Sequence, residues 1–185
     1  MTKSNKVFIA TSLDGYIADS KGNIDWLHSF PNSKESSDMG YGEFMNSVDA
    51  LIMGRTTFET VAGFDIPWPY EKPVYVLSSQ LKEVPNELKG KVELVTGTLQ
   101  EILHQIYTDG YHHLYIDGGK TIQSFLREAL IDEITITVLP ILLGRGIPLF
   151  GELDEPQRYA CVHSRVFDNG VVQNQFVKTD SSEKA

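Results

Sequence analysis

Short apolar runs alternate with helical repeats along most of this chain, and this alternation restricts the fold more than any other feature. Apolar runs at 50–53 and 114–116 are typical of buried strands, and each is followed by glycine and then by a helical pattern. Short connections between such strands and helices favour parallel pairing, because the crossover helix returns the chain to the same edge of the sheet. We therefore predict an α/β fold with a mostly parallel central sheet and helices on both faces.

The final third of the chain follows a different pattern. Ile134, Ile136 and Val138 alternate with threonines, which is typical of a strand with one buried face. Residues 157–167 and 170–177 flank an Asp-Asn-Gly turn and predict a C-terminal antiparallel hairpin at the edge of the sheet. The other predicted elements are strands at 7–12, 73–77 and 92–95 and helices at 33–47, 98–108 and 122–130.

Length and charge limit what such a fold does. The chain has 185 residues, 41% of them hydrophobic, so we predict one domain over 1–178 and a flexible tail at 179–185. A net charge of −9 disfavours nucleic acid and membrane surfaces as partners. No run approaches the ~20 apolar residues that span a bilayer, and we expect a cytoplasmic protein. The single cysteine, Cys161, excludes an internal disulfide and is expected to be a small core residue in a strand.

Two strand-to-helix junctions show the clearest chemical signal. Each places glycine and a basic residue at the start of a helix, where unpaired N–H groups attract anions. Two such junctions in one parallel sheet suit a ligand with separate phosphates, such as a dinucleotide. A turn glycine needs no ligand, however, and a Thr-x-x-Glu capping box at 56–59 explains the first junction equally well. The junction residues are Gly54, Arg55, Thr56 and Thr57, and then Asp117, Gly118, Gly119, Lys120 and Thr121.

Other polar residues are weaker signals. Ser78 and Ser79 follow the predicted strand at 73–77, where they either donate hydrogen bonds to a phosphate on an adenosine ribose or simply form a turn. The Gly-x-Gly-x-x-Gly fingerprint is absent, which disfavours an ordinary Rossmann site. The five histidines show no ligand spacing, so we predict no metal site.

Several of these segments resemble known motifs when they are taken together and in order. Residues 52–59 (IMGRTTFE), 76–80 (VLSSQ) and 116–119 (IDGG) resemble the cofactor motifs of dihydrofolate reductases. Adding 12–18 (SLDGYIA) and 138–150 (VLPILLGRGIPLF) makes the chain similar to the reductase domain of bacterial riboflavin biosynthesis and its stand-alone relatives. This resemblance spans about 6–177. It implies the three-layer dihydrofolate-reductase-like fold.

The resemblance also implies NADPH lying across the carboxyl ends of the strands. Ala10 and the loop 144–146 would complete the cleft, and contacts to the 2′-phosphate would favour NADPH over NADH. In that arrangement the phosphates would face Arg55 and Thr57, the adenosine 2′-phosphate would face Ser78 and Ser79, and the pyrophosphate and nicotinamide side would face Gly118, Gly119, Lys120 and Thr121.

The sequence determines the catalytic and substrate-binding residues less well than the cofactor-binding residues. Hydride transfer needs a proton donor beside the acceptor, and the candidate acids are Asp14, Asp25 and Asp38, each of which is alternatively a turn or surface residue. The folate enzymes place a carboxylate before the second strand. Asp38 fits that place without a gap, whereas another register puts Gly40 there with Glu43 nearby. The candidate substrate-binding residues are Trp26, which alternatively packs in the core, Tyr41 and Arg145.

The resemblance implies an NADPH-dependent reductase of a small heterocycle, similar to the 5-amino-6-(5-phosphoribosylamino)uracil reductase of riboflavin biosynthesis. Tyr16 stands where that family typically has a basic residue, which weakens recognition of a phosphorylated ribose. Dihydrofolate reduction is the nearest alternative, and a nucleotide-binding module without catalysis is the alternative from another class. Because the family's late strands commonly meet across an interface, a homodimer is also expected.

Overall fold

The computed structural model describes residues 2–30 and 38–179. In that part of the chain short strands and helices alternate, as predicted, up to residue 127 and are followed by strands. The strands are β1 (Ser4–Ser12), β2 (Tyr16–Asp19), β3 (Ala50–Gly54), β4 (Val74–Leu77), β5 (Val92–Val95), β6 (His113–Asp117), β7 (Glu133–Leu139), β8 (Gly146–Pro148), β9 (Tyr159–Val166) and β10 (Val172–Lys178), and the helices are α1 (Tyr41–Asn46), α2 (Arg55–Ala62), α3 (Leu99–Thr108) and α4 (Gly119–Arg127).

The central sheet has eight strands in the order β5-β4-β3-β6-β1-β7-β10-β9. Strands β1 and β3 to β7 pair in parallel, whereas β10 is antiparallel to both β7 and β9. The hairpin turn before β10 contains Gly170 with φ of 81°, a conformation that glycine adopts without strain. The predicted mostly parallel sheet and C-terminal hairpin are confirmed.

Apolar side chains on the two faces of the sheet form two large cores, and a third, smaller core lies around Leu139, Phe167 and Val171. Along β3, Ile52 belongs to the core shared with α3 and α4, and Leu51 and Met53 belong to the core shared with α1 and α2. All three are fully buried, which is why this strand has a continuous apolar run rather than an alternating one. No helix in the described ranges is long and apolar enough to cross a bilayer.

Some predicted elements need correction. The first strand begins at Ser4 rather than residue 7, and of the helix predicted at 33–47 only 41–46 is helical, with 33–37 outside the described residues. Cys161 is exposed rather than buried, because β9 is the outermost strand and its residues after Tyr159 are uncovered. The predicted tail at 179–185 lies outside the described part beyond Thr179.

The capping box predicted at 56–59 is wrong. Helix α2 already begins at Arg55, and its N-cap, Gly54, has no side chain to accept a hydrogen bond. Glu59 instead pairs with Arg55 one turn earlier. A true capping box starts α3, where Thr98 and Glu101 bond each other's backbone N–H groups.

Candidate active site

A crevice opens at the carboxyl edge of the sheet between β1 and β6. The pairing of these strands runs from Ser4 opposite His113 to Lys6 opposite Tyr115 and stops there, whereas β1 remains paired with β7 as far as Ser12. The β6 side of β1 is therefore unpaired after Lys6. The candidate cofactor residue Ala10 lies on this unpaired stretch. Ligands of open α/β sheets typically bind where neighbouring strands separate at their carboxyl ends.

Two helices begin at this edge with their first turns in contact. Helix α2 follows Gly54 and α4 follows Gly118, and no side chain caps either N-terminus. A Cβ on Gly54 would lie 2.9 Å from Thr121 Oγ1, and a Cβ on Gly118 would overlap Thr57 Oγ1. Glycine at both positions permits this close approach. The adjacent first-turn N–H groups, left without side-chain acceptors, are suited to bind an anion jointly.

The charged residues at the two junctions are accessible. Arg55 Nη1 lies 2.9 Å from Glu59 Oε1, and both side chains of this pair are substantially solvent-exposed. Lys120 and Thr56 are also exposed. A phosphate at this edge would therefore compete with Glu59 for Arg55, and Lys120 would supply the second positive charge.

The serines after β4 have different surroundings. Ser78 Oγ accepts hydrogen bonds from the backbone N–H groups of Gln80 at 3.1 Å and Leu81 at 2.8 Å, so this hydroxyl maintains the turn. Ser79 is exposed. Lys82 Nζ donates to the Ser79 carbonyl oxygen at 3.4 Å and brings a positive charge to this turn. Lys82 is not among the residues predicted above, and a basic residue three positions after a strand-end serine is the sequence signal that identifies it.

Strands β2 and β8 form a separate two-stranded sheet, which we call the flap. The flap lies over the start of α4, because a Cβ on Gly119 would overlap Ile17 of β2 and lie 4.0 Å from Ile147 Cγ2 of β8. The flap residues therefore cover the crevice beside the glycine pair. The sequence analysis did not predict either strand.

Asp117, the last residue of β6, is a desolvated carboxylate at this edge. Burial raises its pKa, although the backbone N–H of Gly118, which donates to it at 2.8 Å, partly opposes the increase. The nearby Tyr115 hydroxyl, which donates to the Phe8 carbonyl oxygen at 3.0 Å, also opposes it. Burial and the nearby Asp117 charge raise the pKa of Tyr41 to about 12, and the same causes raise the pKa of Tyr70. Three tyrosines thus surround a carboxyl group that retains a proton more readily than an ordinary aspartate.

The three predicted acids are not brought together. Asp14, in the turn before the flap, has a lowered pKa because the Ser12 hydroxyl and two backbone N–H groups donate to it. Asp25 is exposed in a short 3-10 turn. Asp38 accepts hydrogen bonds from the N–H groups of Gly40, just before α1, and Gly42, in its first turn. It borders a cleft of about 720 Å³ that is also lined by His163 and Arg165 of β9.

The predicted substrate-binding residues have three different surroundings. Trp26 packs in the small core with Leu139 and Ala10, and its indole N–H is buried with no hydrogen-bond partner among the described residues. The ring of Tyr41 lies edge-on to Phe8, with centroids 5.6 Å apart. Arg145 is exposed in the loop that enters the flap. Tyr70 also lies near Asp117.

A central crevice, paired helix starts and a covering flap on this sheet define an α/β domain of the dihydrofolate-reductase-like fold. The chain belongs to the RibD C-terminal domain family, which matches residues 6–173. The family assignment confirms the predicted resemblance.

Three solved structures agree with this assignment. A candidate riboflavin biosynthesis protein from Shewanella sp. PV-4 is 50% identical, with a TM-score of 0.91 over 96% of this chain and 99% of that one. A deaminase/5-amino-6-(5-phosphoribosylamino)uracil reductase from Thermotoga maritima is 15% identical, with a TM-score of 0.73 over 96% of this chain and 57% of that one. Dihydrofolate reductase from Enterococcus faecalis, complexed with NADP(H), is 18% identical, with a TM-score of 0.63 over 96% and 97% of the chains. The last two establish similarity of fold alone.

Proposed function

We propose that this protein is an NADPH-dependent reductase of a planar heterocycle, similar in chemistry to 5-amino-6-(5-phosphoribosylamino)uracil reductase. The observation on which this proposal depends is the contact between the first turns of α2 and α4 at Gly54, Thr57, Gly118 and Thr121. Uncapped N–H groups at two adjacent helix starts suit a pyrophosphate. The NADP(H) complex of the dihydrofolate reductase neighbour supports a nicotinamide cofactor.

Charged and hydroxyl side chains along this edge support such a cofactor. Lys120 and Arg55 would balance the pyrophosphate charge beside the helix starts, with Thr57 and Thr121 as hydroxyl donors. Ser79 and Lys82 would bind the adenosine 2′-phosphate and thereby favour NADPH over NADH. The nicotinamide, which supplies the hydride, would lie in the crevice beside Ala10, next to the contact between Gly119 and Ile17 of the flap, because that contact leaves no space between the two residues.

Asp117 is the proton donor that this geometry supports best. A carboxyl group with a raised pKa holds a proton at higher pH than an ordinary aspartate, and it sits at the carboxyl edge beside the crevice. Tyr41 and Tyr70 would flank a planar substrate next to it, with Trp26 at the far wall and Arg145 at the entrance. Asp14, whose oxygens already accept three hydrogen bonds and whose pKa is lowered, is a poor proton donor near neutral pH.

The test is a fluorescence titration of the protein with NADPH and with NADH, followed by a turnover screen with pyrimidine and pterin substrates. We expect NADPH to bind at least tenfold more tightly than NADH, and Ser79→Ala or Lys82→Ala to remove most of that difference. Lys89→Ala is the control, because it removes the same charge from an exposed lysine elsewhere. Binding of neither nucleotide would overturn the proposal, and tight binding without hydride loss to any substrate would identify a noncatalytic nucleotide-binding module instead.

A further inference from the structure

Asp14 connects two loops that are distant in sequence. Its Oδ1 accepts hydrogen bonds from Ser12 Oγ at 2.6 Å and from the backbone N–H of Leu143 at 3.1 Å, and its Oδ2 accepts one from the N–H of Gly144 at 2.8 Å. The backbone N–H of Leu13 also donates to the Ile141 carbonyl oxygen at 2.8 Å. One carboxylate therefore joins the turn that enters β2 to the loop that enters β8.

The same contacts continue directly into the flap. Ser12 Oγ, which donates to Asp14, accepts the N–H of Tyr16, the first residue of β2, at 3.0 Å. On the other side of the turn, the Gly15 carbonyl oxygen accepts the N–H of Leu149, just after β8, at 3.0 Å. Both flap strands are thus tied to the Asp14 turn at the ends nearest the crevice.

The flap needs such a connection because it is small. Only three residue pairs join β2 to β8, and their register is irregular between Tyr16 and Ala18. A two-stranded ribbon is marginally stable without further support. Its apolar side chains Ile17 and Ile147 nevertheless stand against the start of α4, where a Cβ on Gly119 would overlap Ile17.

We propose that Asp14 is a positioning residue, which holds the flap over Gly119 so that Ile17 and Ile147 enclose the nicotinamide end of the cofactor. This inference rests on the proposed function. Hydride transfer needs the ring held at ~3–3.5 Å from its acceptor in a site that excludes water. The flap covers Gly119 and not the turn at Ser79 and Lys82, so Asp14 acts on the nicotinamide half of the cofactor and not on the 2′-phosphate half.

The chemistry of the carboxylate explains why aspartate suits this place. Three donors, one hydroxyl and two amides, converge on its two oxygens, and both oxygens accept. In Asp14→Asn the amide nitrogen would face one of these donors and accept nothing. Those hydrogen bonds also lower the pKa of Asp14, so the connection persists throughout the neutral range.

The test compares Asp14→Ala and Asp14→Asn with Asp19→Ala. Asp19 is a matched control because its carboxylate also accepts turn amides, from Lys21 at 2.8 Å and Asn23 at 2.9 Å, but it joins no second loop. Two nucleotides are titrated: NADPH, and ADP-ribose 2′-phosphate, which lacks the nicotinamide. Hydrogen exchange at the Leu143 and Gly144 amides is measured in the same variants.

We expect both Asp14 variants to weaken NADPH binding at least tenfold, to leave ADP-ribose 2′-phosphate binding within about twofold, and to speed exchange at those amides. With a substrate that the wild-type protein reduces, kcat of the Asp14 variants should fall. The pH dependence of kcat should keep its wild-type shape, since Asp14 does not supply the proton. Equal loss of both nucleotides, unchanged NADPH binding or unchanged exchange would each overturn the role of Asp14. Failure of the wild type to bind either nucleotide would instead overturn the proposed function, and this role with it.

Discussion

At the scale of single residues, two aspartates at the same edge of the sheet have opposite properties. Asp14 is exposed and accepts three hydrogen bonds, so its charged form is favoured. Asp117 lies among tyrosines, where desolvation disfavours its charged form. Nothing in the sequence separates the two, because Tyr41 and Tyr70 reach Asp117 only through the fold. For that reason the sequence analysis placed Asp14 with the acids and Asp117 with the cofactor.

Asp117→Asn tests the proposed proton donor. Turnover should fall at least a hundredfold, because general acid catalysis typically contributes ~10²–10⁴-fold. In the wild type, activity should be present while Asp117 is protonated and should decline as pH rises through its raised pKa. Rates across pH 4 to 9 check this, and a wild-type profile in the variant would contradict the assignment.

The same substitution should stabilise the folded protein at neutral pH. Because the pKa of Asp117 is higher in the folded than in the unfolded chain, its stabilising contribution is complete at low pH and is lost as pH rises through the folded-state pKa. The amide introduced by Asp117→Asn would carry no charge at any pH. We expect a gain in the free energy of unfolding and a higher Tm at pH 8, with little change at pH 4, and thermal denaturation at both pH values checks this. A variant less stable than the wild type at pH 8 would refute this.

At the scale of secondary structure, the caps of α2 and α3 differ despite their similar sequences. Both segments contain Thr-x-x-Glu, but only Thr98 lies at an N-cap, accepting the Glu101 N–H at 3.3 Å. Thr98→Ala should therefore destabilise the protein by about 1 kcal/mol, whereas Thr56→Ala should change the free energy of unfolding by less than about 0.5 kcal/mol. Urea denaturation of both variants checks the difference, and equal losses would restore the capping box at 56–59.

The junction before α4 depends on glycine for two separate reasons. Gly118 has φ of 89°, and a Cβ there would also overlap Thr57 Oγ1. Gly110 has φ of 96° but open space around it, so Gly110→Ala introduces backbone strain alone. Each alanine should destabilise the fold by about 1–3 kcal/mol. Only Gly118→Ala should also weaken NADPH binding, by at least tenfold, because the new Cβ pushes apart the starts of α2 and α4. NADPH titrations of both folded variants check this difference.

Local sequence patterns correctly predicted the strands and helices in which a buried face runs along the whole element. The run at 50–53 and the helical repeat at 98–108 each bury a complete surface, and the structure confirms both. The flap strands are short, half-exposed and stabilised by contacts more than a hundred residues apart, so no local signal distinguishes them from loops. The two glycine junctions were predictable because neighbouring residues in the sequence form them. The tyrosines around Asp117 were not predictable, because tertiary contacts bring them there.

At the scale of the whole molecule, the helices cover the sheet unevenly. Their main contacts are with β3, β4 and β6, whereas the hairpin side of the sheet has none of comparable extent among the described residues. There Val138, Val172 and Val166 stand in register across β7, β10 and β9. Val166 is 67% exposed at the end of this row. Val138 and Val172 are half-buried, and Val162 of β9 is 57% exposed. The outer strand therefore carries two exposed apolar side chains, which is typical of a surface that another chain covers.

We therefore expect a homodimer that uses this row, in line with the family resemblance. Sedimentation should give twice the mass of one chain at micromolar concentration, and Val166→Glu should shift the protein to single chains because it would bury a charge in the interface. Ile66→Glu is the control: Ile66 is 59% exposed after α2, so the same charge is added away from the row. If Ile66→Glu dissociates the protein and Val166→Glu does not, the interface lies on the α2 side. If the wild-type protein has the mass of one chain at every concentration, the valine row faces solvent and each chain works alone.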